Sequence, residues 1–269
     1  ITSYTLYRFQ KQITDKHKRQ LEVLESEKEK EIYHAKIDFF TNIAHEIRTP
    51  LTLIKGPLEN ILKKEEINTH SLKDNLSIME RNTMRLLDLT NQLLDFRKTE
   101  AQGFQLNFMI CDISQLIKDT YIRFDPAAKQ NDLTFKIGLP EQNFNAAVDK
   151  EALTKILSNL FNNAVKYAKS YIHVSLHAPT DEQNDFFSIT VSNDGLPIPV
   201  EMKEKIFEPF VQIKNVSNGQ TKTGTGIGLP LARSLTELHR GKLYLKDSDD
   251  ICFCIELPIK QEKTILLQK

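Results

Sequence analysis

The chain has 269 residues, of which 40% are hydrophobic and 27% are charged. This length allows two domains that each bury a core. Lysine and arginine together number 36, as do aspartate and glutamate, so the charge balance argues against general nucleic-acid binding. The cysteines lack a metal-binding spacing and suit a reducing compartment. Cys111, Cys252 and Cys254 are therefore predicted to be small core residues.

The amino-terminal stretch combines a short mixed run with basic residues. Residues 8–19 contain Arg8, Lys11, Lys16, Lys18 and Arg19 against the single acidic residue Asp15. The run before them is too short and too polar to span a bilayer. Two interpretations stay open: a disordered or added end, or the last turns of a membrane helix whose basic residues mark the cytoplasmic side.

A histidine is predicted on the polar side of an amphipathic helix that includes residues 39–54. The apolar stripe of this helix comprises Ile43, Ile47, Leu51, Ile54 and Leu58. At about 100° per residue, His45 lies roughly 160–200° around the axis from Ile43 and Ile47. We therefore expect an exposed imidazole beside Glu46, an arrangement that favours chemistry over packing.

Two long helices are predicted in the first hundred residues. Residues 16–63 form the first, whose charged half is typical of a short coiled coil and which Pro50 and Pro57 should bend. The second opens at Ser71, with Asp74 completing an imperfect capping box. Its stripe comprises Leu72, Leu76, Met79, Thr83, Leu86, Thr90 and Leu93. Because two helices alone cannot bury both stripes, the pattern predicts a homodimeric four-helix bundle.

The rest of the chain predicts a mixed domain that begins after Gly103. Strands are predicted at residues 104–110, 133–139, 171–178, 186–192, 242–247 and 251–258, and helices at 112–124, 149–168, 200–207 and 227–240. This order favours an α+β sandwich with helices on one face of a mixed sheet. Residues 211–226 are polar and glycine-containing, so a mobile loop is predicted there.

Asparagines cluster on the helix predicted at residues 149–168. Asn159 and Asn163 share one face, and Lys166 lies about one turn beyond Asn163. Amide carbonyls can bind Mg²⁺ beside phosphate oxygens, and a lysine can neutralise phosphate charge. The alternative is a polar face that only meets water. Asparagine is a poor helix former, so its clustering favours a functional role.

Two glycine-containing turns follow. Gly195 and Pro197 mark a turn after the strand 186–192, which alone is an ordinary strand exit. Gly224, Gly226 and Gly228 precede a helix, where backbone amides and the helix dipole favour a phosphate. This second turn lacks the spacing of a dinucleotide-binding or P-loop motif.

Together these motifs resemble those of a sensor histidine kinase of a two-component system. FFTNIAHEIRTPL, at residues 39–51, resembles the H-box of that family, and NLFNNAVKY, at residues 159–167, resembles its N-box. IFEPF, at residues 206–210, is similar to the F-box, and GTGIGL, at residues 224–229, to the second glycine-rich box. The resemblance covers residues from about 30 to 258. It implies a GHKL-type ATP-binding fold after the helical hairpin.

The resemblance implies catalytic roles near the histidine. His45 is the phosphoacceptor that attacks the γ-phosphate of ATP. Glu46 orients the imidazole or takes its proton. Thr49 positions water when the same helix supports dephosphorylation of the partner. Phosphoryl transfer of this kind depends mostly on positioning and charge neutralisation, so the ATP-binding domain must swing towards His45 on a hinge, for which residues 97–103 are the candidate.

The resemblance also implies a nucleotide site that takes ATP and Mg²⁺. Asn163 holds the metal with help from Asn159, while Lys166 and Tyr167 contact phosphate and nucleotide. The lid closes over the phosphates through Gly224, Thr225, Gly226, Ile227, Gly228 and Leu229. Phe207 and Phe210 seat that lid against the domain.

The first glycine-rich box departs from the family pattern of Asp-Asn-Gly-x-Gly. The aligned residues are Asn193, Asp194, Gly195, Leu196 and Pro197. The aspartate that normally accepts the adenine amino hydrogen is thus Asn193, which is uncharged and can flip. We expect weaker ATP binding, and the alternative that Asp194 reads adenine stays open. Pro197 should stiffen the turn.

The resemblance implies four regions. They are a membrane-proximal coiled-coil helix at 1–35, a dimerisation and phosphotransfer hairpin at 36–99, an ATP-binding domain at 104–260 and a linker at 261–269. The expected function is ATP-dependent autophosphorylation of His45 in a homodimer, followed by transfer of the phosphoryl group to a response-regulator aspartate. The receiver domain that carries this aspartate is separate or fused after Lys269. Phosphatase activity is a further expectation. Nucleic acid is not expected as a partner. The expected location is the cytoplasmic portion of an inner-membrane receptor. The alternatives are a degenerate kinase that acts as a dimeric scaffold or phosphatase with weak ATP binding, and a gyrase- or chaperone-type ATPase.

Overall fold

The computed structural model describes residues 2–63, 68–100, 105–179, 185–209, 211–212 and 226–261. Within these ranges the first helix, α1, spans Thr2–Lys63 and the second, α2, spans Thr69–Glu100. The prediction of two long helices is confirmed, and α1 begins earlier than residue 16. It also continues through Pro50 and Pro57, each of which removes one backbone donor. None of the described helices has a stretch apolar enough to cross a membrane.

The start of α2 differs from the prediction. Asn68 caps the helix, because its side-chain oxygen accepts a hydrogen bond from the backbone N–H of His70 at 3.0 Å. Asparagine is as good a cap as serine, and it comes earlier than Ser71. Asp74 faces His70 one turn back, at 3.6 Å, instead of completing a capping box. At the other end, α2 includes residues 97–100, and the rest of the predicted hinge lies outside the described residues.

The two helices contact each other and leave apolar side chains exposed. On α1 the side chain of Ile43 is buried and Ile47 is half-buried, but Leu51 and Leu58 are exposed. On α2 the buried positions are Asn82, Leu89 and Phe96, seven residues apart. The predicted stripe is confirmed only in part: its members Leu72, Met79, Leu86 and Leu93 are half-buried beside these positions, whereas Leu76, Thr83 and Thr90 are exposed. Further exposed apolar side chains on the hairpin are Leu53, Leu62, Leu76, Met84, Leu87 and Leu94.

The second region contains seven strands and three helices among its described residues. They are β1 (Met109–Asp112), α3 (Ile113–Gln130), β2 (Thr134–Gly138), β3 (Asn145–Val148), α4 (Lys150–Tyr167), β4 (Tyr171–His177), β5 (Phe186–Asn193), α5 (Gly228–Leu238), β6 (Lys242–Lys246) and β7 (Ile251–Pro258). Two 3₁₀ turns, Val200–Met202 and Lys205–Phe207, precede α5.

Five strands form one mixed sheet in the order β2-β4-β5-β7-β6. Only the β2–β4 pair is parallel. Buried side chains of this sheet and of α3, α4 and α5 form one hydrophobic core, so these helices cover one face of the sheet. The α+β sandwich is therefore confirmed. At the end of β5, Asn193 pairs with Ile172 on β4 and with Ile251 on β7.

Three element predictions need correction. Of the strand predicted at residues 104–110, the described residues 105–108 are not in a strand, and the rest begins β1 (Met109–Asp112). β1 pairs with β3 to form a separate two-stranded sheet. The backbone of Asn107 instead donates to the Asp149 carboxylate at 2.7 Å. The helix predicted at 200–207 is two 3₁₀ turns, and β3 was not predicted because two of its four residues are alanine, which is depleted in strands.

Two further predictions concern the loop and the cysteines. Most of the loop predicted at 211–226, namely residues 213–225, lies outside the described residues, as does most of the linker 261–269. Cys252 and Cys254 are buried on β7, as predicted, and Cys111 is half-buried. All three are free thiols, and burial raises the pKa of each.

The hairpin contacts the sandwich in this structure. Phe96 of α2 belongs to the same hydrophobic core as the sandwich, and α2 packs against α5. An ion pair joins Asp95 Oδ2 of α2 to Lys155 Nζ of α4 at 2.9 Å. The end of α2 is thus fixed to two helices of the sandwich.

Candidate functional site

The structure confirms that His45 is exposed on α1, opposite the buried Ile43. The two neighbouring polar residues are fixed by local contacts. Glu46 Oε2 accepts a hydrogen bond from Arg85 Nη2 of α2 at 3.0 Å, and the Glu46 side chain is only 12% exposed. Thr49 Oγ1 donates to the backbone carbonyl of His45 at 3.1 Å. The imidazole therefore meets solvent beside a carboxylate and a hydroxyl of defined position.

The helix α4 presents the clustered asparagines. Asp149 caps this helix by accepting a hydrogen bond from the backbone N–H of Ala152 at 2.9 Å. Further along, Asn159 Nδ2 donates to the carbonyl of Lys155 at 3.0 Å, which fixes the direction of its amide oxygen. Asn163, one turn later, is half-buried on the same face.

The second glycine-rich turn lies against that asparagine. A Cβ added at Gly228 would lie 3.0 Å from Asn159 Oδ1, so a side chain at the first residue of α5 would require the Asn159 amide to move by a few tenths of an ångström. Gly226 has a φ of 67°, in the left-handed region that favours glycine. Ile227, fully buried, occupies the N-cap position with an apolar side chain, and Leu229 is half-buried. Gly224 and Thr225 lie outside the described residues.

Lys166 and Tyr167 end α4. The Lys166 ammonium lies 5.0 Å from the centroid of the Tyr167 ring, within range of a cation–π contact. The Tyr167 side chain is 41% exposed. An exposed aromatic face beside a cation can take a nucleotide, but the contact alone also suits an ordinary helix end.

Asp194 has a structural role at the first glycine-containing turn. Its carboxylate accepts hydrogen bonds from the backbone N–H groups of Lys169, Ser170 and Tyr171, at 2.9 to 3.2 Å, and from the Ser170 hydroxyl. Burial raises the pKa of Asp194, but these hydrogen bonds outweigh it and hold the pKa far below its usual value. Asp194 thus ties the end of β5 to the start of β4.

Asn193 is left without such a partner. Its side chain is 2% exposed, and its Nδ2 is the only buried side-chain nitrogen or oxygen in the described part of the chain with no hydrogen-bond partner. A Cβ added at Gly195 would lie 2.7 Å from this Nδ2 and 2.8 Å from the carbonyl oxygen of Tyr167. The amide therefore lies directly beneath Gly195, close to the end of α4.

Phe207 is buried beneath α5. Its ring meets Phe253 of β7 edge-on, with centroids 6.1 Å apart, and the Arg233 guanidinium lies 5.0 Å from its centroid. Arg233 also contacts Glu204 at 3.1 Å, which joins the turn before Phe207 to α5. Phe207 is therefore a core residue that fixes this turn. Phe210 lies outside the described residues.

His239, at the end of α5, belongs to none of the sequence motifs, and the structure places it in the interior. It is fully buried, its Nδ1–H donates to the Leu235 carbonyl at 2.7 Å, and its Nε2 accepts from the backbone N–H of Asp149 at 3.1 Å. Burial lowers its pKa, and the Leu235 carbonyl and Asp149 offset this in part. The sequence signal for this burial is the position of His239 four residues after Leu235, on the apolar face of α5.

A metal would need ligands beyond the acidic and imidazole side chains. The described residues contain no group of three or more histidine, cysteine or acidic side chains that could hold an ion. Asn159 and Asn163 offer hard amide oxygens, which suit Mg²⁺ only together with phosphate oxygens and water. The buried Asn193 amide, which has no partner among the described residues, suits a nucleotide whose base supplies an acceptor.

Both regions match known families. Residues 35–102 match the model described as the His Kinase A (phospho-acceptor) domain, and residues 148–261 match the histidine kinase-, DNA gyrase B-, and HSP90-like ATPase. Histidine kinase P4 of Formosa agariphila is 35% identical over 248 residues, which are 91% of this chain and 18% of that protein. The chain likewise spans 24% of the length of sensor histidine kinase TmoS of Ectopseudomonas mendocina, so it corresponds to only part of each of these two relatives.

Solved structures share the fold. Full-length ShkA in complex with AMPPNP has a TM-score of 0.61 and 21% identity, over 82% of this chain and 46% of that one. Histidine kinase ThkA in complex with the response regulator protein TrrA has a TM-score of 0.57 and 24% identity, over 82% and 60%.

The fold and the motifs define the class of protein, namely a phosphoacceptor helical hairpin joined to an ATPase domain of the kinase, gyrase and HSP90 type. The chain belongs to the sensor histidine kinases of two-component systems.

Proposed function

We propose that this chain transfers the γ-phosphoryl group of ATP to His45 and then to an aspartate of a response-regulator receiver domain. The proposal rests on the exposed imidazole of His45, which the same chain combines with an ATPase domain in which Gly228 closely approaches Asn159. The order of the two matched families supports it.

In the first step, a ring nitrogen of His45 uses its lone pair to form a bond to the γ-phosphorus. The bond between that phosphorus and the bridging oxygen breaks, and its electron pair leaves with ADP. Glu46 orients the ring by accepting the N–H of the other ring nitrogen, and takes that proton as phosphohistidine forms. Because Glu46 Oε2 accepts from Arg85, Oε1 is the oxygen that serves this role.

The ATPase domain positions the triphosphate. We assign phosphate contacts to Lys166 and to the backbone amides around Gly226 and Gly228, with Tyr167, Ile227 and Leu229 beside the nucleotide. Phe207 holds the adjoining turn, together with Phe210, and the lid includes Gly224 and Thr225. Asn163, with Asn159, would hold Mg²⁺. That ion, when bound with the nucleotide, neutralises phosphate charge.

The purine is assigned to Asn193 rather than Asp194, because the Asp194 carboxylate already accepts from three backbone amides and a hydroxyl. A neutral amide makes a weaker hydrogen bond to an amino group than a carboxylate does. We therefore expect weaker ATP binding than in a variant with aspartate at this position.

Dimerisation and phosphotransfer complete the proposal. The apolar side chains exposed on α1 and α2 fit a four-helix bundle between two copies, with the hairpin at 36–99 and the ATP-binding domain at 104–260. ThkA, which shares the fold, was solved with a response regulator protein, and this supports a receiver as partner, separate or fused after Lys269. Thr49 Oγ1, which donates to the His45 carbonyl, keeps lone pairs that can orient water for phosphatase chemistry.

The regions outside these domains are also assigned by proposal. Residues 1–35 would connect the hairpin to a membrane-spanning sensor, with the kinase on the cytoplasmic side of an inner membrane, and 261–269 would be a linker. The basic residues between Arg8 and Arg19 support this assignment.

Labelling of the full chain with γ-³²P-ATP tests the proposal. We expect acid-labile, alkali-stable label that disappears in His45→Ala. His34→Ala is the matched control, because His34 is an exposed histidine on the same helix and should keep the label. Label that survives in His45→Ala would refute the assignment.

The second candidate is a dimeric scaffold without kinase activity. Asn193 and Pro197, at positions where the family has aspartate and glycine, favour it. Such a chain would dimerise yet take no label from γ-³²P-ATP, so the same experiment separates the two.

A further inference from the structure

A buried hydrogen-bond donor without a partner lies at the proposed purine position. Asn193 Nδ2 is buried, and it is the only side-chain nitrogen or oxygen of this kind in the part of the chain that the structure describes. Buried polar groups are nearly always hydrogen-bonded, so an orphaned one needs an explanation. A ligand that supplies an acceptor would be that explanation.

The surroundings of Asn193 restrict which group can supply the acceptor. Its strand neighbours in register are Ile172 and Ile251, which have apolar side chains. Gly195 packs closely over the amide, because a Cβ there would lie 2.7 Å from Nδ2 and 3.1 Å from Ile251 Cδ1. The carboxylate of Asp194 is engaged with the start of β4. An acceptor on the edge of a flat apolar ring would suit a donor that lies among apolar side chains.

The two purines differ at that edge. Adenine presents a 6-amino donor beside the N1 acceptor, whereas guanine presents the O6 acceptor beside an N1–H donor. A carboxamide has one donor and one acceptor, and a half-turn about its last torsion exchanges them. Asn193 can therefore pair with either base, while a carboxylate only accepts and would face guanine O6 with a second acceptor.

We propose that Asn193 is a specificity-determining residue that allows the nucleotide site to accept guanine as well as adenine nucleotides. This inference rests on the proposed function, since it needs a nucleotide at this site. In this inference one side chain determines whether the site accepts both purine bases or adenine alone. Aspartate at the same position would restrict the site to adenine.

Calorimetric titration of the full chain with ADP and with GDP tests the inference. We expect the two affinities of the wild-type chain to lie within about tenfold, and Asn193→Asp to raise the ADP preference by about 100-fold or more, because sites that hydrogen-bond a ligand group reject analogues that lack it. The matched control is Asn143→Asp on the exposed loop before β3, which should leave the ratio unchanged. Labelling with γ-³²P-ATP and γ-³²P-GTP should follow the same pattern.

The possible outcomes separate this inference from the proposed function. A wild-type chain that binds ADP at least 100-fold more tightly than GDP would overturn the inference and leave the kinase proposal intact. A chain that binds neither nucleotide would overturn both. The wild-type comparison needs no variant, so the inference stays testable even if a carboxylate at position 193 prevents folding.

Discussion

The Glu46 carboxylate on α1 accepts a hydrogen bond from the Arg85 guanidinium on α2, at 3.0 Å. Glu46 adjoins His45, and its side chain is 12% exposed against 56% for Arg85. The residue assigned to orient the imidazole is therefore held by the opposite helix of the hairpin. Any movement between α1 and α2 would change this contact, and with it the support of the histidine.

Replacing Arg85 should release Glu46. Without the guanidinium, both oxygens of the Glu46 carboxylate can accept the imidazole N–H, so Arg85→Gln is expected to raise the initial rate of His45 autophosphorylation by about two- to fivefold, the size expected for a partly exposed pair. Rapid-quench labelling with γ-³²P-ATP measures this rate. Arg81→Gln removes an exposed arginine one turn earlier on α2 and should leave the rate unchanged. A rate that falls in Arg85→Gln would mean that the pair supports catalysis.

The sequence predicts the parts of the site that depend on local pattern. The exposure of His45 follows from a helical stripe, and the sandwich follows from strands whose apolar side chains alternate. The Arg85–Glu46 contact joins residues 39 positions apart, so it depends on how the hairpin closes. No local period encodes that closure.

Other features are hidden for similar reasons. The β1–β3 sheet joins two four-residue strands, one of them alanine-rich, whose pairing is set by tertiary packing. His239 carries no local sign that it will bond the backbone of Asp149, 90 residues earlier. The orphaned amide of Asn193 is also visible only after the sheet has formed. Contacts between distant residues therefore account for most of what the sequence leaves undetermined.

A side chain at position 228 should disturb nucleotide binding more than folding. In Gly228→Ala the new Cβ would lie 3.0 Å from Asn159 Oδ1, so the amide must move. We expect about a tenfold loss of ATP affinity, in line with the cost of mild overpacking. Alanine also favours the helix by up to about 1 kcal/mol, which offsets the cost of displacing the amide. The melting temperature should therefore change little. Titration calorimetry and thermal unfolding measure the two effects separately.

Gly56→Ala is the matched control for Gly228→Ala. Gly56 lies inside α1, and a Cβ added there would meet nothing within 4 Å. It should stabilise the helix by roughly 0.5–1 kcal/mol and leave ATP binding unchanged. Equal ATP affinities in Gly228→Ala and Gly56→Ala would show that the Asn159–Gly228 contact does not shape the nucleotide site.

The Asp95–Lys155 ion pair should restrain the ATPase domain. Lys155 Nζ lies 2.9 Å from Asp95 Oδ2 and 2.9 Å from Glu151 Oε1. Burial lowers the pKa of Lys155, but its hydrogen bonds to the two carboxylates outweigh this and leave the pKa raised, so the lysine is charged at neutral pH. In our proposal the domain must move to reach His45, and Asp95→Asn should therefore speed autophosphorylation.

The exposure of the Asp95–Lys155 pair sets the size of the rate gain expected in Asp95→Asn. Because both side chains are mostly shielded, we expect a gain of about two- to tenfold, larger than for a fully exposed pair. The gain should shrink as salt rises, since ions screen the wild-type contact as well. Asp88→Asn, on an exposed position of α2, should have no effect. A slower reaction in Asp95→Asn would show that the contact belongs to the active arrangement.

His239 should make folding stability depend on pH. Its folded-state pKa is lowered from 6.5 by burial, so the unfolded chain binds the proton first as the pH falls. The free energy of unfolding should therefore decrease below about pH 6.5, by at most about 1.4 kcal/mol per pH unit from this group. Urea unfolding at pH 7.5 and 5.5 measures the loss, which should be smaller in His239→Gln.

The comparison variant for His239 is His173→Gln. His173 is exposed on β4, so its replacement should preserve the pH dependence of the wild-type chain. Protonation of His239 would also remove the acceptor of the Asp149 N–H at the start of α4, while Phe108 packs edge-on against the imidazole with ring centroids 5.5 Å apart. Acid should therefore loosen residues 105–108 and the starts of α4 and β1 together. Hydrogen exchange of the Asp149 amide at the two pH values would detect this, and equal protection at both would contradict it.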